Sequence, residues 1–242
     1  MTTLIANEFF KLRTTRAHVY LLAAQLAVVA AAVSGVVVSG LDLRSPGAEH
    51  TLLAHVGPSF IFVLVLGILA VAGEYRDGTI TDTFLATPRR ARVYGAKLIA
   101  YAGVGFAFGV LSAVTAVAVA AIAYAVNGSS LNLGAASVWQ TLLGGVLFMT
   151  LCCVIGVAVG ALITNVGASI AATLAWTALV EATMYSLVGD LSKWLPVASG
   201  FGLNNAPKMN TLSQPMGGLV FAGYALALTA LGVVAIVRRD VS

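Results

Sequence analysis

Few side chains in this sequence have the types and spacing for bond-making chemistry, and those few are scattered. His18 stands alone, while His50 and His55 are five residues apart, off one another's helical face. With Asp42 and Glu49 they offer a metal only a loose set of loop ligands, and loop histidines of this kind are ordinarily solvated, so no metal site is assigned. Cys152 and Cys153 are adjacent in an apolar run, where neither an ordinary disulfide nor zinc-ligand spacing is available, and are read as packing. The phosphate-cradling pattern Gly-x-x-x-x-Gly-Lys-Ser/Thr does not occur, so the chain does not hydrolyse ATP by that route. Two groups remain. Ser169, Thr173, Thr177, Glu181 and Tyr185 recur every four residues, an oblique polar ridge on an otherwise apolar helix. The stretch Gly73 to Leu98, GEYRDGTITDTFLATPRRARVYGAKL, holds eight of the chain's 22 formally charged residues between two apolar walls.

The elements that position these groups follow from composition. The chain has 242 residues, 60% hydrophobic and 9% charged, with a mean hydropathy of +0.97, far from the make-up of a soluble domain. Apolar runs long enough to cross a hydrocarbon core about 30 Å thick recur six times: Tyr20 to Ser39, Val56 to Gly73, Leu98 to Val126, Leu142 to Ile163, Ala168 to Val188 and Gly217 to Val237. Lipid offers no partner to an unpaired amide and barrel-type alternation is absent, so the expected fold class is an all-α membrane protein with six transmembrane helices. The first run exceeds an ordinary signal-peptide core and is read as a retained span.

The net charge of +4 could suggest nucleic acid, but the placement of the cations decides otherwise. Lys11, Arg13 and Arg16 precede the first span, five more lie between Arg76 and Lys97, and Arg238 and Arg239 follow the last; the other side holds Arg44, Lys193 and Lys208. The bias predicts both termini on the cytoplasmic side of a cell membrane, with anionic headgroups as the counter-charge and no nucleic-acid partner. One membrane domain, residues 1–242, fills the sequence. Within it, residues 1–19 form a moderately amphipathic approach helix in which Leu4, Ile5, Phe9 and Leu12 share an arc on which Glu8 and Arg16 intrude. Residues 74–97 form the cytoplasmic loop, and 189–216 an external stretch whose apolar Trp194 and turn-forming residues suit an outer-leaflet, re-entrant course. The pairs Gly105/Gly109 and Gly156/Gly160 are assigned close helix packing only.

In the polar loop, Gly73 and Gly78 break the helix, Asp77 can cap, and Thr79 to Thr87 can make two short turns before Pro88. Ile80 and Phe84 lie four apart on one face, a knob suited to docking a soluble partner. The arrangement resembles the membrane subunits of ATP-binding-cassette exporters of the type-2 permease family. The resemblance rests on the basic helix NEFFKLRTTR, on Glu74, Gly78-Thr79-Ile80, Pro88, Arg90 and Lys97-Leu98 in the first loop, on a short second loop, and on the extended segment before the sixth span.

The resemblance implies an elbow helix at the N-terminus, a coupling helix that docks a separate ATPase, and re-entrant helices before the last span. The expected docking residues are Thr79, Ile80, Asp82, Thr83, Phe84 and Leu85. It also implies two ATPase subunits, which bind the ATP and magnesium, and a second copy of the chain or a sister permease; this chain itself binds no cofactor. From their charges, Glu74 and Asp77 either pair with Arg13 or Arg16, tying loop to elbow, or stand as solvated surface charges. Glu181 is the one formal charge within the spans, and a carboxylate in lipid costs a few kcal/mol, about 3, unless neutralised or wetted. Either the ridge from Ser169 to Tyr185 faces the translocation path, or its hydroxyls bond back to their own helix and Glu181 sits at a protein seam. An ion-gradient-coupled carrier and a polytopic membrane enzyme are the rival readings. The transported substrate is not legible.

Overall fold

A computed structural model describes residues 1–206 and 209–239. Lys208, one of the cations expected on the sparsely charged side, and residues 207 and 240–242 lie outside the described residues. The chain is helical throughout its ordered elements: α1 (Thr2–Thr14), α2 (Ala17–Val38), α3 (Ala48–Leu53), α4 (Phe60–Arg76), α5 (Thr79–Ala86), α6 (Arg90–Val126), α7 (Ala136–Leu162), α8 (Val166–Ala175), α9 (Ala182–Leu187), α10 (Pro196–Leu203) and α11 (Gln214–Arg238). A 3-10 turn, Ala54–Ser59, joins α3 to α4, and a π-helical turn, Trp176–Glu181, joins α8 to α9. Six continuous helical stretches are long and apolar enough to cross a membrane.

The spans run further than hydropathy alone suggests. The third, α6, has 37 residues and is about 56 Å long, well beyond a hydrocarbon core of about 30 Å. Lipid solvation ends where charge begins, but backbone hydrogen bonding does not, and Arg90, Arg92 and Lys97 are good helix formers. The extension carries Lys97 from a loop, where the sequence boundary left it, onto a long rigid helix.

Span two, with α4 as its main part, and α7 form the centre, with 72% and 67% of their apolar windows buried against 11% for span five, the α8–α9 helix. In hydrocarbon, water does not drive helices together, so close backbone approach and dispersion must do it. Glycines make that approach possible: a Cβ on Gly156 would overlap the Leu64 carbonyl, and one on Gly160 would meet Ile68 O at 2.6 Å. On the other side of α7, Gly105 and Gly109 of α6 face Cys153 and Val146. Both cysteines are buried and unpaired, Cys153 in this seam. Gln25 of α2 donates to Ser112 Oγ of α6 at 2.7 Å, one of the few side-chain bonds between spans. Toward the far end, Phe60, Phe148, Phe201 and Phe221 cluster with ring centroids 5.2 to 6.2 Å apart and join α4, α7, α10 and α11.

The ten cations expected together are brought to one end of the bundle, where α1, the α4–α6 connection and the C-terminus meet. Before the last span, a 3-10 turn (Gly189–Trp194) leads into α10, which is wedged between α7 and α11, with Gly200 against the Phe148 ring halfway along α7. Gly156→Leu should force α4 and α7 apart at a cost of about 1–3 kcal/mol. Thermal unfolding of purified protein should show the loss, while Gly223→Ala, where nothing stands within 4 Å, should leave it unchanged.

Candidate functional site

At the basic end, four charges close into one cluster. Lys97 Nζ lies 2.6 Å from Glu8 Oε2 and 2.7 Å from Glu74 Oε1. Lys11 Nζ lies 3.1 Å from Glu8 Oε1 and 2.7 Å from Glu74 Oε1, and reaches Thr83 Oγ1 at 3.3 Å. Each carboxylate is thus shared by both ammonium groups, and the formal charges cancel. Glu8 and Lys11 are three apart on α1 and project together; Glu74 is in the last turn of α4; Lys97 comes two turns into α6. Three helices and, through Thr83, α5 are therefore held by one set of charge-assisted bonds. The Lys97 side chain is only 2% exposed. Partial burial opposes the charge on Lys11, yet hydrogen bonding to Glu74 and the charges of Glu74 and Glu8 together hold its pKa above the ordinary lysine value.

The tie between loop and first helix exists and uses Glu74 as expected, but its partner on α1 is Lys11 rather than Arg13 or Arg16. Among the described residues neither Arg13 nor Arg16 forms an ion pair, and Asp77 binds its neighbour Arg76 at 2.8 Å in the open. The geometry of α1 explains this. Its inward face carries Glu8, Lys11 and Leu12, Arg13 projects outward, and Arg16 caps the next helix after the chain turns at Thr15. Glu8, which looked like an intruder on an apolar arc, is the buried point of attachment; Phe9 and Phe10 are exposed.

The loop helix also differs from its sequence reading. Gly78, at φ +72°, supplies the left-handed residue that lets α5 start directly after α4. Ile80 and Phe84 share a face, but that face points inward: they are 3% and 8% exposed, and the Arg90 guanidinium stacks 5.0 Å from the Phe84 ring. Apolar residues four apart bind the helix to its own bundle before they are free for anything else. What faces out is Thr79, Asp82 and Leu85, the last 76% exposed, while Thr83 is half-buried on Lys11. Between α1, α5 and α6 runs a groove of about 260 Å³, with Asn7, Lys11, Asp82 and Val93 among its walls.

On span five the regular ridge is interrupted. The π-helical turn inserts extra backbone between Thr177 and Glu181, so the four-residue register does not carry through. Ser169 donates to the carbonyls of Asn165 and Ile163, Thr173 to Ser169 O at 2.8 Å and Thr177 to Leu174 O at 3.1 Å. Glu181 turns onto the N-terminus of α10, accepting from the amides of Val197 at 2.8 Å and Ala198 at 3.3 Å, and from Trp176 Nε1 at 2.8 Å. Tyr185 Oη accepts from the Asn210 amide at 3.0 Å. Within one chain Glu181 is 6% exposed and closed over by α10. Its partner was invisible in the sequence because it is backbone: the free amides and positive end of a helix sixteen residues on. At the same end of the bundle, His50 Nε2 meets Asn205 O at 2.6 Å and His55 Nδ1 meets the α3 carbonyl Thr51 O at 2.7 Å, so both rings are spent on backbone carbonyls. Among the described residues no three His, Cys, Asp or Glu side chains converge as a metal group would require.

Lys97→Ala should leave two inward carboxylates with one partly exposed ammonium, a change of the kind that costs about 3 kcal/mol. A fall in the unfolding midpoint, largely relieved when Glu8→Gln is added, would confirm the pairing; equal losses in single and double variants would refute it. Glu181→Ala should cost about 1 kcal/mol through loss of the α10 cap. Glu181→Gln, which retains an acceptor, should cost less, and protease protection of the 189–216 segment should follow the same order.

A family model described as ABC-2 family transporter protein matches residues 4–180, from α1 through the π-helical turn of span five. No curated protein matches the chain. The matched region includes the whole charge cluster, the loop helix and the glycine seams between α4, α6 and α7. A multi-pass helical bundle with a match across most of its length is what a membrane-embedded permease subunit requires, and the chain belongs to the ABC-2 family of transporter proteins.

Proposed function

We propose that residues 1–242 act as a single permease domain that forms the translocation pathway of an ATP-driven exporter and receives force from a separate ATPase subunit through α5. The observation that carries this reading is the mounting of α5. It is an eight-residue helix at the charged end of the bundle, fastened inward by Ile80 and Phe84, with Leu85 standing 76% exposed beside Asp82. In this reading Leu85, with Thr79 and Asp82 beside it, is the face that α5 offers to the ATPase. Behind α5, Thr83 meets Lys11, and Lys11 is locked to Glu8, Glu74 and through them to Lys97. A displacement of α5 is therefore passed at once to α1, α4 and α6.

In the assembly proposed here, two ATPase subunits bind ATP and magnesium, and two permease halves, identical or sister chains, face each other across the pathway. The basic end lies in the cytoplasm of a cell with this chain in its plasma or inner membrane, in keeping with the positive-inside bias, and the 189–216 segment forms the re-entrant cover on the outside. Support for export comes from the resemblance of the loop and elbow to exporter subunits.

The docking face is tested by Leu85→Asp on the full chain. Copurification of a partner ATPase subunit should fall roughly tenfold or more, as expected when a central apolar contact is replaced by a charge. Expression and the unfolding midpoint should be unchanged, because Leu85 supports nothing in its own chain. Undiminished copurification would place the contact elsewhere.

A further inference from the structure

A cavity of about 440 Å³ lies away from the charge cluster, inside the apolar part of the bundle. Its floor is α7 from Phe148 to Leu162, fifteen residues and so about 22 Å of helix, and its walls are span five and α11, with α4 and α10 closing the far end. Span five rests on α4 but barely touches α11, and Ala172 and Trp176 on its wall are exposed, so the cleft opens sideways onto the surface that lipid bathes. The polar groups on the walls make no demand on an occupant. Thr173 and Thr177 donate to their own helix, Trp176 to Glu181, and the Tyr224 hydroxyl to Trp194 O at 3.2 Å. Water would find no partners here, and an empty apolar slot forfeits dispersion contacts along its whole length.

The basic end of the cleft carries the complementary charge. Arg239 comes eleven residues after Leu228, three turns and hence the same side of α11, and its guanidinium donates at 3.1 Å to Ala161 O and Leu162 O, the latter a residue of the cavity wall. Among the described residues those two bonds engage two of the guanidinium's five N–H groups, and the others are the donors proposed for an anion. We propose that this cleft is a phospholipid site, holding one acyl chain between span five and α11 with the lipid phosphate at Arg239. The length fits: about 22 Å of slot exceeds the roughly 15 Å depth of one leaflet's hydrocarbon. A seated chain would replace the contacts that α8 does not make with α11, so the lipid would brace the least buried span.

Native mass spectrometry of the full chain tests the site, after delipidation and titration with palmitoyl-oleoyl phosphatidylglycerol. Wild-type protein should retain one lipid per chain. Val159→Trp, which fills the slot, and Arg239→Gln should each weaken retention roughly tenfold. Leu147→Trp, on the exposed side of α7, should not. If Val159→Trp fails to fold, as judged by helicity and elution, Ala172→Phe at the exposed rim serves in its place. Retention undiminished by either filling variant overturns the proposal, as does a filling variant that alters only the oligomeric state, which would assign the cleft to a second copy. Displacement of the lipid by inorganic phosphate, with filling variants silent, would reduce it to a headgroup contact and overturn it as well. The lipid count needs neither ATPase nor ATP, so its outcome and that of the docking test are separable.

Discussion

An ammonium group shut inside a low-dielectric bundle has to be neutralised, and Lys97 at 2% exposure sets that requirement for the basic end of this protein. Two carboxylates from two other helices answer it, and a second lysine keeps those carboxylates from repelling one another. Such a cluster is not a source of stability in itself, since apolar residues of the same volume would often serve as well. Its value is positional: the bonds form only when α1, α4 and α6 stand in one arrangement, and α5 is attached to that arrangement through Thr83. A device that must transmit displacement benefits from joints that tolerate few geometries.

The same rule, that no polar group may be left bare in hydrocarbon, shapes the other helix ends. Arg239 covers the terminal carbonyls of α7, and Arg90 reaches the Arg239 carbonyl in turn, so part of the basic excess serves backbone as well as orientation. At the opposite end Glu181 covers the first amides of α10, and Asn204 Nδ2 donates to Ala54 O at 2.8 Å. Each is a side chain supplying what a helix terminus lacks. The two ends differ in consequence. The basic end is locked by charges from three helices, whereas span five is attached mainly to α4 and through Glu181 to α10.

Much was legible in the residue types. Apolar run lengths called for six helices, the distribution of cations placed ten of them together, and the pattern from Glu74 to Lys97 pointed to the family that the comparison over residues 4–180 establishes. The spacing of Ile80 and Phe84 correctly put them on one helical face. Spacing is silent on which way a face turns, however, and the bundle claimed it, leaving Leu85 outside. Opposite charges at the basic end implied pairing, but only the angle of α1 on α6 selects Glu8 and Lys11 over Arg13 and Arg16.

Glu181 draws the same boundary most sharply. That a carboxylate within a span needs a partner follows from its chemistry and its neighbours in sequence; that the partner is a helix N-terminus, reached through a π-helical turn, depends on how distant backbone folds back. Sequence by itself determined the solvent, the number of spans and the places where charge would have to be neutralised, because those depend on composition and local periodicity. Tertiary structure decided which groups do the neutralising, which faces stay open and where the bundle leaves a cleft, because those depend on the relative rotation of helices, which no periodicity within one helix encodes.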